Sequence, residues 1–264
     1  MIVVSSPLST GSRIRAALLS AAFAVPLTAA LGCEAPQTGG GIEVSESPAL
    51  GSENGLKAYN GLKAHNGLTL LTGLTQASGL AASSELMSTS DGRLQVAYLI
   101  KCALPATRTV VKTDSRGTKY TFAGELGLAP EWETSSCGQA CQEWVSACLL
   151  AFENTTGKHV PIWMVAEHPA IGFGLSPDYP RQEGAFFGNI FAPNPSEYYC
   201  GGRDYAVSPV PGRIGSPQVD TSYTNINGPG GTCKSACTGS DSPHVGDGYK
   251  ACSGWKRVIT IWRR

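Results

Sequence analysis

Nine cysteines carry most of the chemistry that this 264-residue sequence could perform. Eight of them, Cys102, Cys137, Cys141, Cys148, Cys200, Cys233, Cys237 and Cys252, lie in the C-terminal two thirds, and Cys33 stands apart from them. Cys137-x-x-x-Cys141 and Cys233-x-x-x-Cys237 have a spacing that thiolate zinc sites also use. The same eight residues, an even number, would form four disulfides in an oxidising compartment. The choice between zinc and disulfides turns on where the chain lives, and its N-terminus bears on that.

Arg13 and Arg15 precede a run from Ala16 to Gly32 with no charged residue, the order found in a secretion signal. The run is interrupted by Pro26 and lies at the short edge of the roughly 17 to 25 residues that span a bilayer, which argues against a membrane anchor. Ala30-Leu31-Gly32-Cys33 closes it and resembles a bacterial lipobox, although Ala30 and Leu31 are not the commonest residues at their places. The resemblance implies cleavage before Cys33 and acylation of its thiol. That fate also removes the odd cysteine, leaving an even set. Four disulfides are therefore the expectation, with no metal and no cofactor.

Other chemistry is thinly represented. No G-x-S-x-G, H-E-x-x-H, P-loop or G-x-G-x-x-G occurs. Cys137-Gly138-Gln139-Ala140-Cys141 followed by Trp144 is similar to the head of the papain-family helix, and His159, His168 and His244 are available as bases. The family's Cys-Gly-x-Cys-Trp spacing is not reproduced, so no thiol nucleophile is assigned. Asp241 and Asp247 do not fit the twelve-residue calcium loop. Asp178, Glu183 and Asp204 are candidate acid and base for glycoside hydrolysis, a role that depends on their separation. Tyr179, Tyr198, Tyr199 and Trp255 are candidate stacking surfaces for sugars, or packing for irregular loops.

Removing residues 1–32 leaves 18 basic against 20 acidic side chains, so the remainder has no field to gather nucleic acid. The basic residues Lys256, Arg257, Arg263 and Arg264 read as a solvated chain end. Residues 34–49 are rich in Gly, Pro, Ser and acid and read as a mobile tether. Gly55, Gly61, Gly67, Gly73 and Gly79 are each followed by leucine, at a period of six. On a helix those leucines would scatter round the axis, whereas an even period keeps them on one face of an extended chain. This stretch reads as a spacer; the alternative is a small ribbon packed against the domain. Read as a spacer, residues 34–86 would be dispensable for folding.

Beyond Ser88 lie all five Trp and six of the seven Phe. Ser90-Asp91 caps a helix from Arg93 to about Ala103. Thr109–Lys112 and Lys119–Glu125 read as strands joined by a turn through Asp114-Ser115-Arg116-Gly117. Ser136 and Gln139 suggest a capping box, and Cys137, Cys141, Trp144, Val145, Cys148, Leu149 and Phe152 share one helix face. On that face the cysteines point at the core rather than at each other, so their partners are expected outside the helix. Val160–Ala166 and Val258–Trp262 read as strands. The expected fold class is α+β: a single disulfide-rich domain, residues 87–264, with few helices, short antiparallel strands and long irregular loops, after a signal peptide (1–32) and a tether-and-repeat spacer (33–86).

The lipobox, the Asn-Gly-Leu repeats, and the segments Glu143-Trp144-Val145-Ser146-Ala147-Cys148 and Glu183-Gly184-Ala185-Phe186-Phe187-Gly188 together resemble secreted lipoproteins of myxobacteria. The resemblance implies an outer-membrane or otherwise envelope location and transfers no activity. The function expected is binding or structural, with the membrane as partner through the lipid anchor and polysaccharide or envelope protein as further candidates. A hydrolase acting on polysaccharide through paired carboxylates is the alternative.

Overall fold

One helix, buried around almost its whole circumference, organises the fold. The computed structural model describes residues 51–54, 56–57, 68–154, 160–204, 224–225, 232–239 and 248–264. All lie in the compact unit Thr38–Arg264. Cys33, the signal and tether segments, His159, His244, Asp241 and Asp247 fall outside the described residues.

In chain order the elements are β1 (Gly51–Asn54), β2 (Leu56–Lys57), α1 (Glu85–Ser88), α2 (Ser90–Ala103), β3 (Thr109–Thr113), β4 (Lys119–Ala123), α3 (Gln139–Phe152), β5 (Glu153–Asn154), β6 (Val160–Val165), β7 (Arg181–Asn189), β8 (Ser196–Gly201), β9 (Thr224–Asn225), α4 (Cys233–Ala236), β10 (Cys237–Gly239), β11 (Tyr249–Cys252) and β12 (Ile259–Arg263). The class is α+β, and disulfides cross-link it. Among the described residues no helix is long and apolar enough to cross a membrane.

The seven residues at helical offsets from Cys137 to Phe152 are all buried, as that spacing requires. Ala147, Leu150 and Ala151 are buried as well, so α3 lies between layers rather than on a surface. It packs on β7 and β12 on one side and α2 on the other. The start of α3 differs from the capping-box expectation. Its N-cap is Gly138, without a side-chain cap, and Gln139 Nε2 donates to Glu143 Oε1 at 2.7 Å instead. A disulfide between Cys137 and Cys141 closes across the start of the helix, which leaves Cys137 outside it. Helix α2 begins at Ser90, earlier than expected, because Thr89 supplies the cap by accepting from Gly92 N at 2.9 Å.

The main sheet runs β1-β6-β12-β7-β8-β9, antiparallel except for the β8–β9 pair. Its period-two alternation sorts side chains between two cores. Ile162, Met164, Phe186, Ile259 and Ile261 join the core containing α3. Ala185 and Phe187 face the other way and pack with Cys200, Cys233, Tyr249, Cys252 and Val258. Among the described residues the only helix over this second face is the four-residue α4, so disulfide-linked segments cover it. Strand β12, expected as a closing strand, lies in the interior of the sheet between β6 and β7 and is buried along its length. The basic end is only partly solvated: Lys256 and Arg264 are exposed, but Arg257 and Arg263 are not. Arg263 is buried and pairs with Glu183 at 4.0 Å, and Arg257 pairs with Glu143 at 3.7 Å. The β3–β4 hairpin turns as its composition requires, with Asp114 Oδ1 accepting from Arg116 N and Thr118 N, each at 2.9 Å.

The six-residue repeat is where the structure departs most from the sequence reading. Leu68, Leu74, Leu80 and Leu86 are all buried in the α3 core, so residues 68–86 belong to the folded domain and are not a spacer. The chain is pinned by Leu74 N to Trp132 O (2.8 Å), Thr75 N to Glu133 O (3.0 Å) and Cys137 N to Leu70 O (2.7 Å). Lys112 Nζ donates to Gln76 O at 2.6 Å, and burial lowers the Lys112 pKa. At Gly73 and Gly79 glycine is required by close approach: a Cβ would collide with the backbone of Thr134 and of Gly73, respectively.

Candidate functional site

The eight cysteines that the sequence singled out form four disulfides, Cys102–Cys148, Cys137–Cys141, Cys200–Cys233 and Cys237–Cys252. The first ties α2 to α3 in the core. The second contradicts the expectation that Cys137 and Cys141 do not bond each other, although both are buried in the core as expected. Once Cys137 leaves the helix, the helical offset between the two no longer applies. The remaining four cysteines pair among themselves over the second face of the sheet. Cys200 Sγ lies 3.4 Å from Cys237 Sγ, and the sulfurs of Cys200, Cys233 and Cys237 sit within 4.8 Å of one another. Such a cluster has the donor set for zinc, but only as thiolates, and each of these sulfurs is bonded to another.

Cys137 is likewise bonded and is not a free thiol. Of the three histidines considered as its bases, His168 lies among the described residues. Its ring meets Trp144 edge-on at 4.9 Å, and its Nδ1 accepts from Ala170 N at 3.1 Å. Burial lowers its pKa below the ordinary 6.5, against opposing contributions from Glu131 and Leu128. The unfolded chain therefore binds this proton more readily than the folded one. The His168 contribution to stability is present above pH 6.5 and is lost as pH falls below it. Melting followed from pH 7.5 to 5 should show this loss, and His168→Gln should flatten that part of the profile.

Two of the three candidate carboxylates face cations. Glu183 faces Arg263, with both side chains nearly inaccessible. Asp204 Oδ2 accepts from Gln182 N at 2.8 Å and Arg203 Nε at 3.3 Å. Asp178 is exposed on a turn. Glu125 and Glu143, also buried, face Lys101 at 2.7 Å and Arg257 at 3.7 Å, while buried Asp114 is held by the backbone N–H groups of Arg116 and Thr118. These pairs are ones that burial of a carboxylate demands.

Three of the four candidate aromatics are packing residues. Tyr198 lies between Phe187 and Trp255, with ring centroids 5.7 and 5.9 Å away, and Tyr199 packs against the α3 core. Tyr179 is different. Ser176-Pro177-Asp178-Tyr179 is a turn composition, closed by Tyr179 N donating to Ser176 O at 3.0 Å. The turn lays Tyr179 on Trp163, centroids 5.9 Å apart and planes 29° apart. Trp163 Nε1 donates to Gly174 O at 2.7 Å and so holds the approach to the turn. Trp163 and Trp262 are cross-strand partners of β6 and β12. A cleft of about 410 Å³ opens here, lined by Leu175, Ser176, Pro177, Tyr179, Pro180, Arg203 and Trp262. Arg203 lies over the Trp262 ring at 5.3 Å, and Arg264 lies over Tyr179 at 5.4 Å. The sequence pointed to Tyr179 alone; Arg203 and Trp262 come from distant segments, and no local signal links them to the turn.

Fold and site thus define a disulfide-stapled α+β domain with an aromatic, arginine-bearing cleft beside the end of its central strand. Comparison with known proteins finds no match to the chain among family models, curated proteins or solved structures.

Proposed function

We propose that the chain is an envelope lipoprotein, cleaved before Cys33 and acylated there, whose stapled domain is a binding module with the Tyr179 cleft as its ligand-facing surface. The observation that carries the binding part is the cleft itself: mostly apolar walls with a few convergent polar groups, the usual make-up of a small-ligand site. A hydrolase working through paired carboxylates draws no support, since Glu183 and Asp204 are engaged by Arg263, Arg203 and Gln182. The four disulfides suit an oxidising, extracytoplasmic setting. The membrane is then a partner through lipid, and polysaccharide or another envelope component is the ligand class.

The anchoring part has a direct test. Each buried acyl CH₂ contributes about 0.8 kcal/mol, and two or more chains make attachment stable. Wild-type protein should partition with membranes, and Cys33→Ala should move it to the soluble fraction. The intact mass of the wild type should show a chain starting at an acylated Cys33; an unmodified Cys33 thiol would refute the anchor.

A further inference from the structure

We infer that the cleft takes a carboxylate-bearing saccharide, such as a chain of uronic acids. This rests on the reading of the cleft as a binding site and adds the ligand's charge and shape. Among the seven described residues that line the cleft only Arg203 is charged, and the sign is positive. Its side chain is 49% exposed, and its Nε is directed at Asp204, which fixes the plane of the guanidinium. The two terminal amino groups form the remaining edge of the fork, the geometry that binds a carboxylate through two parallel hydrogen bonds. The Arg203 Cζ lies 5.3 Å from the centroid of the Trp262 ring.

Nearby charge is mixed. Arg264 lies over Tyr179, while Asp204 is occupied by Gln182 N and Arg203, and Asp178 is exposed on the turn without lining the cleft. The flat partner for a sugar ring is Tyr179, half-buried and backed by Trp163, so that its ring is held before any ligand arrives. Ser176 also lines the cleft. A volume of about 410 Å³ suits one or two sugar rings, not an extended groove for many.

The test is calorimetric titration of the full mature chain with trigalacturonate and with its carboxyl-reduced neutral counterpart. The acid should bind at least about tenfold more tightly, the factor that one charge-assisted hydrogen-bonded contact supplies, and added salt should weaken it. Arg203→Gln should erase the preference, and Arg203→Lys should restore part of it, with melting unchanged in both because the position is half exposed. Equal binding of the two sugars, or a preference that survives Arg203→Gln, would overturn the inference while leaving the cleft as a binding site. Binding of neither would overturn it too. Neutral-sugar binding lost in Tyr179→Ala is the readout for the binding-module reading alone.

Discussion

A chain lacking residues 68–86 is expected not to fold, although in sequence that stretch looks like dispensable repeat. The deletion removes Leu68, Leu74, Leu80 and Leu86, each buried in the α3 core, and the backbone donors at Leu74 and Thr75 that satisfy Trp132 O and Glu133 O. Truncating one fully buried leucine to alanine typically costs about 2–5 kcal/mol. Domain stabilities are of the order of 5–15 kcal/mol, so losing four such side chains together exceeds what the domain can absorb. Leu74→Ala alone should lower stability by an amount within the single-site range, read from the urea midpoint. Leu71→Ala, at a side chain 83% exposed, should change it little. A deletion variant that melts like the parent would mean that the leucines do not pack where the structure puts them.

The disulfides should differ in worth by the loops they close. Cys102–Cys148 closes a separation of 46 residues and joins two buried helices, whereas Cys137–Cys141 closes only four. The chain-entropy relation gives about 4 kcal/mol for the first and about 2 kcal/mol for the second. The paired substitution Cys102→Ala with Cys148→Ala should therefore be the more damaging, leaving a domain marginal at 37 °C. Cys137→Ala with Cys141→Ala should remain folded with a modest drop in midpoint. Full reduction should unfold the domain, because the second sheet face then loses the links that hold its irregular cover. Equal losses for the two paired variants would contradict this ranking.

What could be read from sequence was what depends on near neighbours. The period of α3, the Asp114 turn and the β-branched run at Val160 are each set within a dozen residues, and the structure reproduces them with small shifts at the ends. Strand β7 was harder because it is buried on both faces; with Phe186 facing one core and Phe187 the other, it shows no apolar–polar alternation. The repeat misled for a related reason. At Gly73 and Gly79 the missing Cβ makes room for backbone, a demand visible only in three dimensions. The basic C-terminus misled because Glu183 and Glu143, the partners that bury Arg263 and engage Arg257, are far away in sequence. Cysteine pairing was undetermined for want of distances, and the cleft was legible only as far as Tyr179.

Cys200, Cys233 and Cys252 are buried in the second core, which the Cys200–Cys233 and Cys237–Cys252 bonds tie together. Proteolytic mapping of the alkylated, unreduced protein by mass spectrometry tests this directly. The result predicted is interpeptide links Cys102–Cys148, Cys200–Cys233 and Cys237–Cys252 and a loop-closing Cys137–Cys141 bond within one peptide, with none of the eight thiols alkylated. Alkylated thiols among the last four, stoichiometric zinc, or a link from Cys137 or Cys141 to the second half of the chain would contradict it.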